Sequence, residues 1–192
     1  MKARKPVPLR KIELLILDVD GVLTDGRLYF SGKGEALKVF HVRDGHGLKL
    51  LRGSGVEVAA FSGRRSAAVT ARMRELKLRH VVQGCGDKVA ALFALTQRLG
   101  IEPLACACMV DDTPDLPLMS AVGFAAAVAD AHPLVLAAAH WVSSAPGGQG
   151  AVRELSDAIL RARSLSEYST WPKLRQISPQ SRRSRRGWVK TQ

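Results

Sequence analysis

Short apolar runs recur along the chain, and segments with helical spacing lie between most of them. The first run, Leu14–Leu17, consists of four aliphatic residues and is typical of a strand buried on both faces. The later runs predict strands at Val56–Phe61, Val81–Val82, Ala105–Val110, Phe124–Val128 and Trp141–Val142. Apolar spacing near 3.6 residues predicts helices at Asp44–Leu51, Ser66–Leu76 and Lys88–Leu99, and a last one from Ala151 to about Arg163.

Strands that alternate with helices predict an α/β fold, a doubly wound, mainly parallel sheet with helices on both faces. Ser66 is a suitable N-cap for the second helix, and Gly100 stands where a glycine ends the third.

One segment interrupts the alternation directly after the first strand. Residues 26–42, GRLYFSGKGEALKVFHV, form two β-rich runs around Ser31–Gly34, which is the pattern of an inserted β-hairpin. Tyr29, Phe30 and Phe40 give this hairpin an aromatic face. Because exposed edges and apolar surfaces tend to be covered, we expect another subunit to contact it.

Composition narrows the class of protein. A length of 192 residues with 46% hydrophobic residues predicts one globular domain. No apolar run reaches the ~18 residues of a membrane span, and the basic N-terminus lacks the apolar segment of a secretory signal. The odd number of cysteines (Cys85, Cys106 and Cys108) forms no metal-binding pattern, so we expect reduced thiols. These features predict a cytoplasmic protein with no membrane partner.

The net charge of +12 is concentrated at the two ends of the chain. Residues 1–11 carry five Lys and Arg and no acid, residues 164–192 carry a net +6, and residues 12–163 carry only +1. We therefore predict a basic N-terminal tail (1–11), a nearly neutral domain (12–163) and a basic, flexible C-terminal tail (164–192). Nucleic acid is not the expected partner, although contact of the C-terminal tail with an anionic substrate, another subunit or nucleic acid stays open.

Polar residues follow four of the predicted strands. In doubly wound sheets, ligands bind beyond the carboxyl ends of the strands. The residues that follow these ends are Asp18, Asp20 and Thr24; Ser62, Gly63 and Arg64; Asp87 and Lys88; and Asp111, Asp112 and Asp115. Converging carboxylates repel one another and favour a hard cation such as Mg²⁺, while a lysine, a hydroxyl and loop N–H groups suit a phosphate. The combination predicts a phosphoryl-transfer site in which a carboxylate attacks phosphorus.

The motifs DVDGVLT, SGR, DK and DDTPD, in this order, resemble the four motifs of the haloacid dehalogenase superfamily of phosphohydrolases. A closer resemblance, to the capless, tetrameric branch represented by 3-deoxy-D-manno-octulosonate 8-phosphate phosphatase, lies in LDVDGVLTDG, FHVRDGHGLKLL, FSGRRS, QGCGDK, DDTPDLPLM and GGQGAVRE. It covers roughly residues 12–163. It implies a Mg²⁺-dependent phosphatase that acts on a small acidic sugar phosphate and assembles as a homotetramer.

The resemblance also implies roles for the acidic residues. Asp18 becomes the nucleophile that forms an aspartyl-phosphate, and Asp20 the acid that protonates the leaving alkoxide and then activates water. The metal is expected on the Asp18 carboxylate, the Asp20 backbone carbonyl and Asp111, with Asp112 in support.

The remaining candidates concern the substrate. The resemblance implies that Ser62, the Gly63 backbone and Lys88 bind the phosphoryl oxygens, and Thr24 is expected to contribute a hydroxyl. A ketosugar acid phosphate also carries a carboxylate, for which the candidate partners are Arg43 and Arg64.

One position departs from the pattern. Val110 stands where a glycine usually precedes the paired aspartates, and we expect this β-branched residue to shift Asp111 slightly. Several other functions remain open: a phosphatase of a nine-carbon sugar acid phosphate, a non-catalytic regulatory homologue, a receiver-like signalling domain and a nucleic-acid end phosphatase.

Overall fold

A six-stranded parallel sheet forms the centre of the fold in the computed structural model, which describes residues 5–163. The strands of the described chain are β1 (Leu14–Leu17), β2 (Tyr29–Ser31), β3 (Gly34–Leu37), β4 (Glu57–Ser62), β5 (His80–Gln83), β6 (Cys106–Val110), β7 (Phe124–Ala127) and β8 (Trp141–Val142). The large sheet has the order β5-β4-β1-β6-β7-β8, while β2 and β3 form a separate antiparallel hairpin. The order reverses at β1, as in a doubly wound sheet.

Helices cover the sheet in two groups. They are α1 (Val42–Gly53), α2 (Ala67–Glu75), α3 (Lys88–Leu99), α4 (Leu116–Ala121), α5 (Pro133–Ala138) and α6 (Ala151–Ala162). Helices α1 and α6 contact each other, and α4 contacts both α3 and α5. The predicted fold class is confirmed. None of the helices within residues 5–163 is long and apolar enough to cross a membrane.

The predicted elements match the structure closely, with most ends differing by one or two residues. Strands β1 and β8 and helix α3 have the predicted bounds. The Ser66 hydroxyl caps α2 by accepting a hydrogen bond from Val69 N at 3.3 Å, and Gly100 ends α3 with a φ of +67°. The sequence did not predict α4 and α5, because six residues are too few for a helical period to show.

The described part of the N-terminal segment contacts the domain. Residues Leu9–Lys11 form a 3-10 helix, and Val7 N donates a hydrogen bond to Gly123 O at 2.9 Å. Val7 and Leu9 are partly buried against the hydrophobic core. The boundary at residue 12 stays a prediction, and the predicted C-terminal tail lies outside the described residues.

The hairpin exposes apolar side chains, as predicted, although not all of those expected. Phe30 is 61% exposed, with Leu28, Leu37 and Val39 each about half exposed beside it in sequence or across the hairpin. Phe40 was expected on the same open face, but it is partly buried against the core, and the Arg72 guanidinium lies 5.9 Å from its ring centroid.

Strand register aligns the ends that carry the polar motifs. Leu17, the last residue of β1, pairs with Ala60 of β4 and Met109 of β6. The backbone N–H of Asp18 then donates to Met109 O at 3.1 Å. Because the three strands are parallel, the residues that follow β1 and β6, and those that end and follow β4, lie at the same edge of the sheet.

Candidate active site

A cavity of about 390 Å³ opens at the carboxyl edge of the sheet. Its lining comes from the segments after β1, β4, β5 and β6: Asp18, Asp20, Gly26, Gly63, Arg64, Cys85, Gly86, Lys88, Asp111, Asp112, Pro114 and Asp115. A larger cavity of about 690 Å³ lies at the amino ends of the strands, near Glu13 and Arg163. The predicted chemistry therefore belongs to the smaller cavity, where the carboxylates and the lysine meet.

Lys88 joins two carboxylates at the bottom of this cavity. Its Nζ donates hydrogen bonds to Asp18 Oδ1 at 2.9 Å and to Asp115 Oδ2 at 2.7 Å. The side chains of Lys88 and Asp18 are each 13% exposed, and that of Asp115 is 3% exposed. Burial lowers the pKa of Lys88, but the charges of Asp18 and Asp115 outweigh burial and the net pKa is raised. The lysine is therefore a fixed positive charge.

Asp111 lies against Asp18 without such a partner. Burial, and then the charge of Asp18, raise the pKa of Asp111 to about 7. Burial also raises the pKa of Asp115, against the opposing effect of Lys88. Asp18, Asp111 and Asp115 each bring a carboxylate oxygen within 4.8 Å of the others. Three acids beside one lysine leave an excess of negative charge, and oxygen ligands in this arrangement suit a hard divalent cation.

The third carboxylate of this cluster is Asp115, whereas the sequence predicted Asp112 beside Asp18 and Asp111. Asp112 was expected to support the metal, but its side chain is directed to its own turn, where it accepts a hydrogen bond from Thr113 N at 2.7 Å. Asp112 lines the cavity as an exposed residue, whereas Asp115 is buried in the cluster. The 3-10 turn Thr113–Asp115 brings Asp115 back toward Asp111. A signal was present in DDTPD, since a proline at the second turn position favours such a tight turn.

Asp20 lines the cavity, and its carboxylate forms an ion pair with a residue that the sequence did not predict at the site. Lys38, just after β3 of the hairpin, forms a short ion pair with the Asp20 carboxylate. Its side chain is only 2% exposed. The β-rich pattern of residues 26–42 predicted the hairpin, but gave no indication that a lysine on it points inward.

The loop that carries Asp20 is fixed by the loop before α6. Gly148 N donates to Val22 O at 2.9 Å, and a Cβ on Gly147 would lie 1.7 Å from Gly21 O. Glycine is therefore required at position 147 by close backbone approach. The GGQG motif, predicted as a loop and helix start, supports the segment after β1.

Thr24 has a structural position rather than the predicted contact with substrate. It is 2% exposed and is not part of the cavity lining. Its hydroxyl lies within hydrogen-bond distance of Val19 O at 3.4 Å, Gly21 N at 3.4 Å and Gly26 N at 3.3 Å. The hydroxyl thus closes the loop after β1, and a small polar side chain at this offset is explained by that turn.

The segment after β4 reaches the cavity as predicted. Gly63 and Arg64 line it, while Ser62 is buried directly behind them and its Oγ accepts a hydrogen bond from Arg64 N at 3.2 Å. The Arg64 side chain is 43% exposed and its Nη2 lies 3.9 Å from Glu35. This guanidinium is placed to meet an anionic group at the cavity mouth.

Arg43, like Thr24, is a predicted substrate residue that the structure places outside the cavity lining. It is exposed near the start of α1, is not part of the cavity lining, and lies beside Gly150, whose added Cβ would be 3.9 Å from its Nη2. The motif FHVRDG therefore brings Arg43 to the α1–α6 junction in this chain and not to the carboxylate cluster.

Val110 fits its strand without disturbing the cluster. It is fully buried, pairs with Ala127 of β7, and its carbonyl accepts a hydrogen bond from Val128 N at 3.3 Å. Asp111 follows directly and still meets Asp18 and Asp115. The β-branched side chain is therefore accommodated as an ordinary residue of a central strand.

Comparisons with known proteins agree with this geometry. Residues 77–155 match the family model of haloacid dehalogenase-like hydrolases. The chain is 46% identical over 159 residues to the 3-deoxy-D-manno-octulosonate 8-phosphate phosphatase KdsC of Yersinia pestis, covering 83% of this chain and 85% of the relative.

Solved structures of phosphatases from the same family are similar to the chain in both fold and sequence. A cobalt-bound deoxy-D-mannose-octulosonate 8-phosphate phosphatase from Haemophilus influenzae is 43% identical, with a TM-score of 0.80 over 82% of this chain and 92% of that one. The phosphatase from Moraxella catarrhalis, in complex with magnesium, phosphate and KDO, is 39% identical, with a TM-score of 0.81 over 84% and 93% of the two chains. With this similarity across most of its length, and with no cap domain among residues 5–163, the chain belongs to the haloacid dehalogenase superfamily of hydrolases, in its 3-deoxy-D-manno-octulosonate 8-phosphate phosphatase branch.

Proposed function

We propose that this chain hydrolyses 3-deoxy-D-manno-octulosonate 8-phosphate through a phosphoryl group carried on Asp18. The observation that carries the proposal is the pairing of Asp18 with Lys88 inside a cavity that four further acids line. A buried carboxylate beside a fixed ammonium is a suitable nucleophile for phosphorus, because the ammonium offsets the negative charge of the approaching phosphate. The similarity of most of the chain to 3-deoxy-D-manno-octulosonate 8-phosphate phosphatases, one of them in complex with KDO, supports the substrate assignment.

Mg²⁺ is the metal that we propose for the cluster. Asp18 and Asp111 would hold it together with the Asp20 backbone carbonyl, with Asp115 completing the group of close oxygens. When bound, Mg²⁺ supplies positive charge that offsets the carboxylates and the transferred phosphoryl group. The raised pKa of Asp111 supports this assignment, because it marks a carboxylate whose charge is not yet compensated by the protein.

In the first half-reaction, the Asp18 carboxylate attacks phosphorus and a new O–P bond forms. The bond between phosphorus and the sugar oxygen breaks, and Asp20 gives its proton to the departing alkoxide. The products are the free sugar acid and an aspartyl-phosphate. Lys88 holds Asp18 in place throughout.

In the second half-reaction, the Asp20 carboxylate accepts a proton from water as that water attacks phosphorus. The O–P bond to Asp18 breaks, inorganic phosphate leaves, and Asp20 is again protonated for the next cycle. Asp18 is thereby restored as a carboxylate and Asp20 as a carboxylic acid. Asp20 lies in the same cavity as Asp18, two residues along the chain, and this shared position supports its proposed double role at the leaving group and at the incoming water.

Residues at the other strand ends would bind the substrate. We assign the phosphoryl oxygens to Lys88 and the Gly63 backbone, with Ser62 supporting the turn, and the sugar carboxylate to Arg64 at the cavity mouth. An arginine suits this role because its planar fork matches a carboxylate.

We also propose that the protein forms a homotetramer in the cytoplasm. The supporting observation is the row of exposed apolar side chains on the hairpin, where Phe30 is 61% exposed. Sedimentation analysis tests the assembly, and a monomer at micromolar concentration would contradict it. That nucleic acid is not a partner stays a prediction, because the basic C-terminal residues lie outside the described chain.

The test of the proposed activity is phosphate release over a panel of sugar phosphates. We expect the eight-carbon octulosonate 8-phosphate to give the highest kcat/KM in the presence of Mg²⁺, above the nine-carbon sugar acid phosphate and neutral hexose phosphates. A higher kcat/KM for the phosphate of the nine-carbon sugar acid would identify that ester as the substrate. If no ester is hydrolysed, the proposed activity is wrong, and a non-catalytic regulatory role would replace it.

A further inference from the structure

We propose that Lys38 of the hairpin is a positioning residue that holds the Asp20 carboxyl group for proton transfer to the leaving oxygen. The inference rests on the proposed function of Asp20. It concerns a residue outside the cavity lining, and the experiment below separates its failure from the failure of that function.

The charged side chain of Lys38 is almost completely buried, which requires compensating partners. Its side chain is 2% exposed, and removing an ammonium from water is strongly unfavourable unless partners compensate its charge. Two carboxylates do so: Asp20, through the short ion pair, and Glu35, whose Oε2 lies 3.2 Å from Nζ. Because the lysine does not line the cavity, it can act on the reaction only through its partners, Asp20 directly and Arg64 by way of Glu35, whose Oε2 lies 3.9 Å from Arg64 Nη2. A loss transmitted through Arg64 would persist in an Asp20→Asn background, whereas a loss transmitted through Asp20 would not.

Glu35 fixes the lysine in turn. The Ser66 hydroxyl donates a short hydrogen bond to Glu35 Oε1, and Ser66 N donates to Gln83 Oε1 at 2.7 Å. The Ser66 hydroxyl also accepts from Val69 N as the cap of α2. The hydrogen bond of Ser66 lowers the pKa of Glu35, against burial, with Lys38 contributing after it. The chain of contacts therefore runs from the rigid start of α2 through Glu35 and Lys38 to Asp20.

The arrangement restricts how Asp20 can turn. Lys38 Nζ engages Oδ1 of Asp20, and this contact leaves Oδ2 as the oxygen that can face the leaving group. Without the lysine, the Asp20 side chain regains its rotamers in a cavity crowded with other carboxylates. A misplaced Asp20 slows the release of a leaving group that needs a proton, and it also slows the attack of water on the aspartyl-phosphate, a step that all substrates share. Leaving-group selectivity is therefore expected in the first half-reaction, because geometry governs proton transfer before acidity does.

This requirement supplies a test that a merely structural role would not meet. A sugar alkoxide is a poor leaving group and needs protonation, whereas the nitrophenolate released from p-nitrophenyl phosphate does not. We expect Lys38→Met to lower the single-turnover rate of sugar release about 10- to 100-fold, with the single-turnover rate of nitrophenolate release within about threefold of the parent protein. Lys38→Arg should recover most of the loss, because it keeps the charge and the donor. Lys33→Met, at the exposed tip of the same hairpin, is the matched control and should change neither rate.

The Asp20→Asn variant separates the two levels of the proposal. It should show the same selective loss, and adding Lys38→Met to it should cause no further loss for the sugar phosphate if the lysine acts through Asp20. Equal losses for both substrates, or full additivity in the double variant, would overturn the role of Lys38 alone. If Asp20→Asn itself shows no leaving-group selectivity, the function assigned to Asp20 fails, and the Lys38 proposal with it. Should Lys38→Met not fold, as judged by circular dichroism, Lys38→Gln carries the same comparison.

Discussion

Burial raises the pKa of both the buried carboxyl of Asp44 and the partly buried carboxyl of Asp111, yet the two lie in opposite kinds of surroundings. Asp44, on α1, accepts hydrogen bonds from Arg153 N at 2.8 Å and from Gly150 N at 3.3 Å, at the first turn of α6. Asp111 lies against Asp18, and the neighbouring acids Asp115 and Asp112 raise its pKa further. One carboxylate caps a helix and the other lies among like charges.

The difference shows that burial by itself does not mark a functional acid. Backbone N–H groups at a helix start compensate Asp44 within the protein, so that its burial stabilises the α1–α6 contact. No backbone N–H group of the described chain donates a hydrogen bond to the Asp111 carboxylate in this way. The burial of Asp111 therefore lowers the stability of the metal-free protein, and a bound cation would raise it again. The expected effects of substitution at the two positions are therefore opposite in kind, and the following predictions test that contrast.

The largest effect is expected at the acid next to Asp111. Asp18→Asn should lower phosphate release at least about 10³-fold, because the amide cannot attack phosphorus. Thermal unfolding should still be cooperative, since the amide oxygen keeps the contact with Lys88. Turnover of the sugar phosphate is the measurement, and Asp44→Asn serves as the matched control. Substantial residual turnover in Asp18→Asn would remove Asp18 as the nucleophile.

Asp111→Asn should separate stability from activity. We expect Mg²⁺-dependent turnover to fall about 10²-fold, while the metal-free protein gains about 0.5–2 kcal/mol in unfolding free energy as like-charge repulsion is relieved. Urea unfolding without metal, and activity titrated with Mg²⁺, are the two measurements. A metal-free variant that is less stable than the parent protein would show that the acid is structural.

Asp44→Ala should have the reverse outcome. It leaves two N–H groups at the start of α6 without their acceptor, and should lower the unfolding free energy by about 1–3 kcal/mol. Below the unfolding transition, kcat should stay within about threefold of the parent value, because Asp44 is not part of the cavity lining. Asp44→Asn, which keeps one acceptor, should lose less stability. A loss of kcat without a loss of stability would contradict the contrast.

The effect with the least bearing on activity is a pH dependence of stability in the metal-free protein. The pKa of Asp111 is raised from 3.8 to about 7, so between these values the folded state binds more protons than the unfolded state. Stability should therefore fall as the pH rises through that window, and Asp111→Asn should flatten the slope. Urea unfolding at several pH values measures it. Saturating Mg²⁺ should also reduce the fall, and a parent slope equal to that of the variant would contradict the assigned pKa.

The sequence predicts the elements that the local pattern encodes. Strand β1 and helix α3 have the predicted bounds because apolar runs, the Asp87 cap and Gly100 signal their ends locally. Asp18, Asp20, Lys88 and Asp111 reach one cavity because parallel strands bring their carboxyl ends together. This part of the site follows from topology alone.

The directions in which several side chains point could not be predicted from the sequence. Lys38 points inward because the hairpin folds back over the loop after β1, and Asp115 returns to the cluster through a 3-10 turn. Thr24 and Arg43 show the converse, since a suitable residue type after a strand or near a helix start can serve its own loop. These directions are set by packing between distant segments, and the residue pattern does not encode them.

The proposed mechanism requires a phosphoryl group bound covalently to Asp18. The decisive measurement is rapid acid quench of the enzyme during turnover, followed by borohydride reduction of any acyl phosphate and mass spectrometry of the peptides. We predict that Asp18 alone is reduced, and that the reduced product is absent from Asp18→Asn and from enzyme without substrate. Reduction at another carboxylate, or turnover with no trapped acyl phosphate at any quench time, would contradict the central claim.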